Sequence, residues 1–448
     1  MEKPSLAYRD LNDNQMRFIF STIEDALCIT NGKGHILYVN PAAEELLGVS
    51  KKGIQKKRLH EVIPFVERND EFIQTFIDTF DKKTRCRHKL VDYENLNGKV
   101  LKLRISMSYS DYFGGIFVVL LSDLTELFRV NSAFSRYTSP QIAEYVLTTE
   151  EGERQGGKSR DVTILMSDLR GFTAISARLD PMQLIHLLNN YFEKMVEIIE
   201  KYSGTVIEFL GDGIFVVFGA PADDPLHPSH AVHCAVEMQN KMAEVNAWNR
   251  DEGLPELEMG IGIHSGLSVV GNIGSIQKMK YGCIGETVNL AGRIESLTIG
   301  GQVLISSSVR DRITEHLRIG SKQTFMPKGS QSDIIVLEVT AIGSTVLTQS
   351  EDPGFPHEIA PPWPQLQFSL LNGKTVEMVT YEGVLTAFSG DHRFLWLKTA
   401  AELRLRRNVL LKVGNGLYAK ILSRDKDTYI LCLTPKPDNL EELLRSLS

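Results

Sequence analysis

The sequence predicts an α+β multidomain chain: an antiparallel sheet with inserted helices, then a sheet covered by helices, then a small C-terminal β-rich domain. Three observations carry that reading. The 448 residues exceed what one hydrophobic core ordinarily organises, which sets a prior of roughly three domains. Short alternating apolar segments dominate from Phe18 to Thr125 and again over 366–435, whereas between them strand-like runs alternate with helical periods. A stretch with five prolines, Ile342 to Pro364, separates the second region from the third. The chain is therefore divided into 1–125, a helical connector over 126–150, 151–341, a linker over 342–365, and 366–448.

In the first region ALCITN and HILYVN flank Asn31-Gly32-Lys33-Gly34 and read as a β-hairpin. Asn40 is placed to cap a following helix, with Pro41 at its first position and Gly48 at its end. Strands follow over 99–109 and 115–122. On these segments the region resembles a PAS domain. His35, His60 and His88 read as surface or core residues rather than haem ligands, and no cysteine stands in a flavin-adduct motif, so the PAS ligand stays unknown. The sequence then turns helical from Asp123 to Thr149, and the polar run Glu150 to Ser159 reads as a domain boundary.

In the middle region VTILMSD is a buried-type strand. Asp180-Pro181 opens a helix whose apolar period runs from Leu184 to Tyr202. TVIEFL and IFVVFG flank Gly211-Asp212-Gly213 as a hairpin, a second helix spans about 228–249, and LEMGIGIH with LSVVGNI reads as another strand pair. Asp168 ends its strand and Asp212 sits in the hairpin turn, so two carboxylates converge at one sheet edge. With no histidine or cysteine cluster nearby, such a pair suits a hard cation bound through oxygen, Mg²⁺ or Mn²⁺.

Four segments, VTILMSDLRGFTAIS, GTVIEFLGDGIFVVFGAP, GIGIHSGLSVVGNIGSIQKMKYGCIGETVNLAGRIESL and FMPKGS, occur in the order found in class III adenylate and guanylate cyclases. The resemblance implies a ferredoxin-like α/β catalytic domain with two divalent metals per active site, held by Asp168, Asp212 and the backbone carbonyl of Leu169. It implies that Asn289 orients the ribose, Arg293 stabilises charge on the α-phosphate and Lys328 grips the terminal phosphates. It also implies a head-to-tail homodimer, because in the family the two sets of groups meet across a subunit boundary. Leu169, Glu286 and Gly292 replace the commoner Ile, Asp and Ala or Ser, and none of these removes a catalytic group.

Two positions read the base in this family, and here they are Glu208 and Gly282. Adenylate cyclases have Lys at the first and Asp or Thr at the second. A carboxylate only accepts hydrogen bonds, so Glu208 suits the N1–H and N2 amine of guanine and opposes the N1 lone pair of adenine. GTP is the expected substrate, with an adenylate cyclase acting on ATP as the alternative and a catalytically silent scaffold as the alternative of another class. Cys283 stands one residue out of register with the cysteine of animal guanylate cyclases.

The last region is implied to be a small C-terminal β-barrel by its resemblance to the PilZ-like barrels attached to some bacterial cyclases. Those bind cyclic di-GMP through an Arg-x-x-x-Arg arm and an Asp/Asn-x-Ser-x-x-Gly motif. Around Ser389 the matching places hold Ala387 and His392, with no arm before them, which argues against that ligand. Leu403 to Arg407 is a small basic cluster that reads as a solvated rim.

A net charge of −7 argues against a nucleic-acid partner. Cys28, Cys86, Cys234, Cys283 and Cys432 are few, odd in number and far apart, so they read as reduced thiols rather than a disulfide framework or zinc site. With no signal-peptide pattern at the start and no integral membrane segment, the expected location is cytoplasmic.

Overall fold

The computed structural model describes residues 12–54, 57–111, 115–325, 333–348, 356–372, 375–390, 392–403, 408–411 and 417–434. The chain divides into two units, Met1–Tyr137 and Thr138–Ser448.

The first unit contains α1 (Asp13–Ser21), β1 (Ala26–Asn31), β2 (Ile36–Val39), α2 (Pro41–Leu47), α3 (Lys51–Ile54), α4 (Asp70–Lys82), β3 (Cys86–Glu94), β4 (Val100–Ser110), β5 (Ile116–Asp123) and α5 (Thr125–Tyr137). Its strands form one antiparallel sheet in the order β2-β1-β5-β4-β3. The expected hairpin and the capped helix are both present, and Gly48 ends α2 in the left-handed conformation. Asn40 does more than cap. Its buried amide oxygen accepts from Ala43 N and Leu27 N, each at 2.9 Å, and its nitrogen donates to Asp25 O at 2.9 Å and Ile23 O at 3.0 Å. One side chain thus ties the entry segment, β1 and α2 together. Phe72, Phe76, Tyr93, Leu101, Leu103 and Ile105 fill the core.

In the second unit the helical stretch expected to run to Thr149 resumes as α6 (Pro140–Thr148) and α7 (Glu150–Glu153). The helix breaks ahead of Pro140, which has no N–H to donate, and Ser139 caps the new start through Ile142 N. The run Glu150 to Ser159 holds α7 and the first residues of β6 (Gly156–Leu169), and α6 buries Ile142 in the same cluster as Val162 and Ile164 of that strand.

Then follow α8 (Phe172–Ser176), α9 (Pro181–Lys201), β7 (Thr205–Leu210), β8 (Gly213–Phe218), α10 (His227–Asp251), β9 (Met259–Ser275), β10 (Lys278–Ile284), α11 (Glu286–Ser296), β11 (Val303–Ser306), α12 (Ser307–Arg310), β12 (Leu317–Phe325), β13 (Ile334–Ile342) and β14 (Thr345–Val346). The sheet order is β12-β13-β11-β9-β6-β8-β7, with β10 on β9 and β14 on β13. α9 and α10 bury Leu187, Tyr191, Met195, Met238 and Met242 against one face, while Ala291 of α11 joins Ile142, Val162 and Ile164 on the other.

One strand expectation is corrected. LEMGIGIH and LSVVGNI are not two paired strands but the single strand β9, which runs beside β6 from Leu169↔Met259 to Gly156↔Asn272. Ser265-Gly266 resembles turn chemistry, yet Gly266 makes room for α11: a Cβ there would stand 3.0 Å from Thr287 Oγ1.

The remaining strands are β15 (His357–Glu358), β16 (Gln365–Asn372), β17 (Thr375–Phe388), β18 (Phe394–Lys398), β19 (Asn408–Leu411), β20 (Leu417–Asp425) and β21 (Thr428–Leu433). Antiparallel pairings run from β16 through β17, β18, β21, β20 and β19 back to β16, the closed ring of a small barrel. Phe368, Leu385, Leu397, Ile421, Tyr429 and Leu431 fill it. The expected linker carries β14 and β15, with 349–355 outside the described residues; Arg404, Arg406 and Arg407 also lie outside them. None of the five cysteines is in a disulfide, and among the described residues no helix is long and apolar enough to cross a membrane.

Candidate active site

Asp168 is the penultimate residue of β6, and the β7–β8 turn brings Asp212 beside it because Ser167 pairs with Ile214. Gly211 has φ +72°, a conformation that L side chains rarely adopt, so the two-residue turn can close with Asp212 at its second place. Gly213 is needed for proximity: a Cβ there would stand 2.7 Å from Ser167 O and 3.5 Å from Asp168 Oδ1. Asp212 Oδ2 accepts from the backbone N–H of Leu169 at 3.2 Å.

Partial burial and then the like charge of Asp168 push the Asp212 carboxyl up to about 6. Two carboxylates held in this mutual repulsion fit a divalent cation, which would relieve it. Among the described residues no group of three or more His, Cys, Asp or Glu side chains gathers for a metal. A cation held by these two carboxylates would take its other ligands from backbone and substrate oxygens, the usual pattern for Mg²⁺ at phosphate sites.

Arg170, which the sequence reading passed over, organises this corner. Its Nη2 lies 3.4 Å from Asp168 Oδ2, donates to Asp168 O at 3.3 Å and pairs with the Glu295 carboxylate, while its backbone N–H donates to Glu258 O at 2.7 Å. Its place directly after the Ser-Asp-Leu of the motif was the available signal; its partner Glu295 only the fold reveals.

α11 carries Asn289 and Arg293 one turn apart. Thr287, Leu290, Ala291 and Ile294 are buried, Asn289 is exposed and Arg293 is half-buried. Glycines seat the helix tightly on β9: a Cβ at Gly262 would stand 2.1 Å from Glu295 N, and one at Gly260 1.9 Å from Thr298 Oγ1. Arg170 thus joins Asp168 to the end of α11. Among the described residues neither Asp168 nor Asp212 hydrogen-bonds or ion-pairs with Asn289 or Arg293 in the same chain. Lys328 lies outside the described residues.

Glu208 follows a register shift in β7, and its carboxylate pairs with Lys280 of β10, Nζ to Oε2 2.5 Å, both side chains about half exposed. Lys280 and Gly282 share a strand face. Glu208 and Gly282, the two positions expected to read the base, are thereby brought to one edge, together with a lysine that the sequence did not single out. A Cβ at Gly282 would meet only the end of the Ile273 side chain, at 3.0 Å. Cys283 turns into the core, where burial raises its thiol pKa.

Residues 155–337 match the family described as the adenylate and guanylate cyclase catalytic domain, and residues 24–126 match the PAS domain. Among curated proteins, adenylate cyclase 1 of Rhizobium meliloti (strain 1021) is 29% identical over 51% of this chain and 36% of its own length. The adenylate cyclase of Anabaena cylindrica is 32% identical over 47% of this chain and 42% of its own. The chain thus spans well under half of either relative. Among solved structures, the guanylyl cyclase Cya2 is 45% identical over 43% of this chain and all of its own, with a TM-score of 0.43. The adenylyl cyclase CyaB of P. aeruginosa is 32% identical over the same shares, with a TM-score of 0.40.

Proposed function

We propose that this chain, which carries a class III nucleotide cyclase catalytic domain after a PAS domain, is a guanylate cyclase that converts GTP to 3′,5′-cyclic GMP and pyrophosphate under control of the PAS domain. The observation that carries the choice of base is the Glu208–Lys280 pair at the edge beside Gly282. The two carboxylate oxygens can accept from guanine N1–H and the N2 amine together, and the ammonium can donate to O6. Adenine would set the N1 lone pair against the carboxylate, and a polar group left unpaired in this way is what rejects a wrong base.

In the reaction the ribose 3′-oxygen attacks the α-phosphorus, its proton leaves, and the bond from that phosphorus to the β-phosphate oxygen breaks. Asp168, Asp212 and the Leu169 carbonyl would hold two divalent ions, Mg²⁺ or Mn²⁺, which when bound would acidify the hydroxyl and neutralise the charge on the attacking and leaving oxygens. Asn289 orients the ribose. Arg293 meets the charge that develops on the α-phosphate, the kind of preorganised donor that contributes most to such reactions. Lys328 binds the terminal phosphates.

A head-to-tail homodimer is the arrangement that brings α11 of one copy to the carboxylates of the other. In its support, no hydrogen bond or ion pair joins Asp168 or Asp212 to Asn289 or Arg293 among the described residues of one chain, and the apolar Leu210, Leu267, Val269, Ile276 and Ile284 are exposed on the β7 and β9–β10 segments.

The test is product formation by the purified chain with GTP and ATP, separately and mixed, in Mn²⁺ or Mg²⁺, with Asp212→Ala as the blank. Cyclic GMP in large excess supports the reading. Cyclic AMP in excess overturns the choice of base and leaves the cyclase chemistry standing, and neither product from folded protein favours the silent scaffold.

A further inference from the structure

The C-terminal barrel reaches the catalytic domain through two buried cations, and both end on parts that position the active site. On β20, Ala419 and Ile421 point into the barrel core, so Lys420 between them points out. Its side chain is 7% exposed, and Nζ donates to Ser296 O at 2.6 Å and Thr298 O at 2.7 Å. Those carbonyls belong to the C-terminal end of α11, where backbone acceptors lack helical partners and the helix dipole is negative. Glycines 260 and 262 press the same end against β9 from the other side.

Arg393, just before β18 and 4% exposed, places Nη1 2.5 Å from Glu258 Oε1 and donates from Nε to Cys432 Sγ at 3.4 Å. The backbone carbonyl of Glu258 holds Arg170, which in turn holds Asp168 and Glu295. Gly300 lets the ion pair form, since a Cβ there would stand 2.7 Å from Glu258 Oε2 and 2.8 Å from Arg393 Nη2. Ile299 packs with Phe394 and Cys432 between the two cations.

We propose that Lys420 and Arg393 are positioning residues of the cyclase: the barrel is a clamp that fixes the end of α11 and the Asp168–Arg170 corner, and turnover depends on it. Arg293 lies three residues before the clamped Ser296 carbonyl and five before that of Thr298, so a loosened end displaces the group that acts at the α-phosphate more than it weakens the hold on the nucleotide. Buried cations that lose their partners are costly, which makes the contact an all-or-none fit rather than a sliding surface. The inference rests on the cyclase reading given above.

The experiment uses the full chain. Lys420→Met is expected to lower kcat about tenfold while KM for the nucleotide stays within about twofold, and Lys420→Arg to recover most of the loss. Glu258→Gln, at a partly exposed carboxylate, is the second variant, expected to lower kcat in the same sense; it serves if Lys420→Met does not fold. Hydrogen exchange reads the clamp without activity: amides near the end of α11 lose protection in Lys420→Met and keep it in Lys420→Arg. Folded variants with kcat within about twofold of the parent and unchanged exchange overturn the clamp. A parent chain that makes no cyclic nucleotide counts against the cyclase reading instead, and the exchange result then decides the clamp alone.

Discussion

At the scale of single residues, the base-reading edge makes the sharpest prediction. Glu208→Lys together with Gly282→Asp replaces an acceptor by a donor and adds an acceptor, the pattern that complements adenine. The cyclic AMP to cyclic GMP ratio is expected to rise by about two orders of magnitude, read by supplying both triphosphates at equal concentration. The backbone tolerates the second change, because a Cβ at 282 meets only the flexible end of Ile273. Lys280→Met, which leaves Glu208 without its ion pair, should lower kcat/KM for GTP about tenfold. Glu208 and Gly282 were singled out by their places in the motifs that carry the family resemblance. Lys280 was not, since nothing in the chain says which cation will oppose Glu208 until β7 and β10 are brought to one edge.

At the scale of elements, local chemistry was legible wherever it decided the outcome: the Asn40 cap, the Asp180 cap of α9, and the Gly211 turn all stand where side-chain donors and glycines put them. It misled at β9, where Ser265-Gly266 looks like a turn but serves packing against Thr287. Two tests belong here. Gly262→Ala drives a Cβ into the backbone of Glu295, so the chain should lose roughly 2 kcal/mol or more of stability, read from its denaturant midpoint. His264, on the same strand, bonds through Nδ1 to Ser306 Oγ at 2.8 Å, and burial, with Arg312 nearby, pushes its pKa down to about 4. The unfolded histidine takes up its proton as pH falls through about 6.5, whereas the folded one does not until far lower. The contribution of this group to stability should therefore fall as pH drops from about 6.5 towards 4, by up to about 3 kcal/mol, while Asp212, whose folded carboxyl stands at about 6, works in the opposite direction over much of the same window. His264→Asn should remove that fall, read as the difference between the parent and variant profiles, and leave the opposed contributions of Asp212 and of His227, whose pKa burial also lowers. An unchanged slope would exclude His264 as its source.

At the scale of the whole molecule, the proposed reaction centre would be split into two halves within each chain. The Asp168–Asp212 corner has carboxylates with no hydrogen bond or ion pair to Asn289 or Arg293 among the described residues, and α11 carries those two groups one turn apart. Motif order singled out the residues of both proposed halves, but the contacts of Lys420 and Arg393 with the end of α11 and with Glu258 were hidden, because the two residues are unremarkable until the sheet around them closes. In a head-to-tail dimer with a twofold axis the interface is isologous, α11 of each copy facing the carboxylates of the other, so two copies would complete two equivalent sites. Asp168→Ala spoils the carboxylate half of a chain and Arg293→Ala the other half, so each variant alone should be nearly inactive. Mixed at equal concentration and allowed to exchange subunits, they form about half mixed dimers by random association, each with one wholly intact site and one doubly damaged site. Activity should return to about a quarter of the parent value at the same total protein, and should scale with the mixed-dimer fraction measured by differential tagging. No recovery in a mixture shown to contain mixed dimers would place both halves of the site in one chain and remove the reason for the dimer.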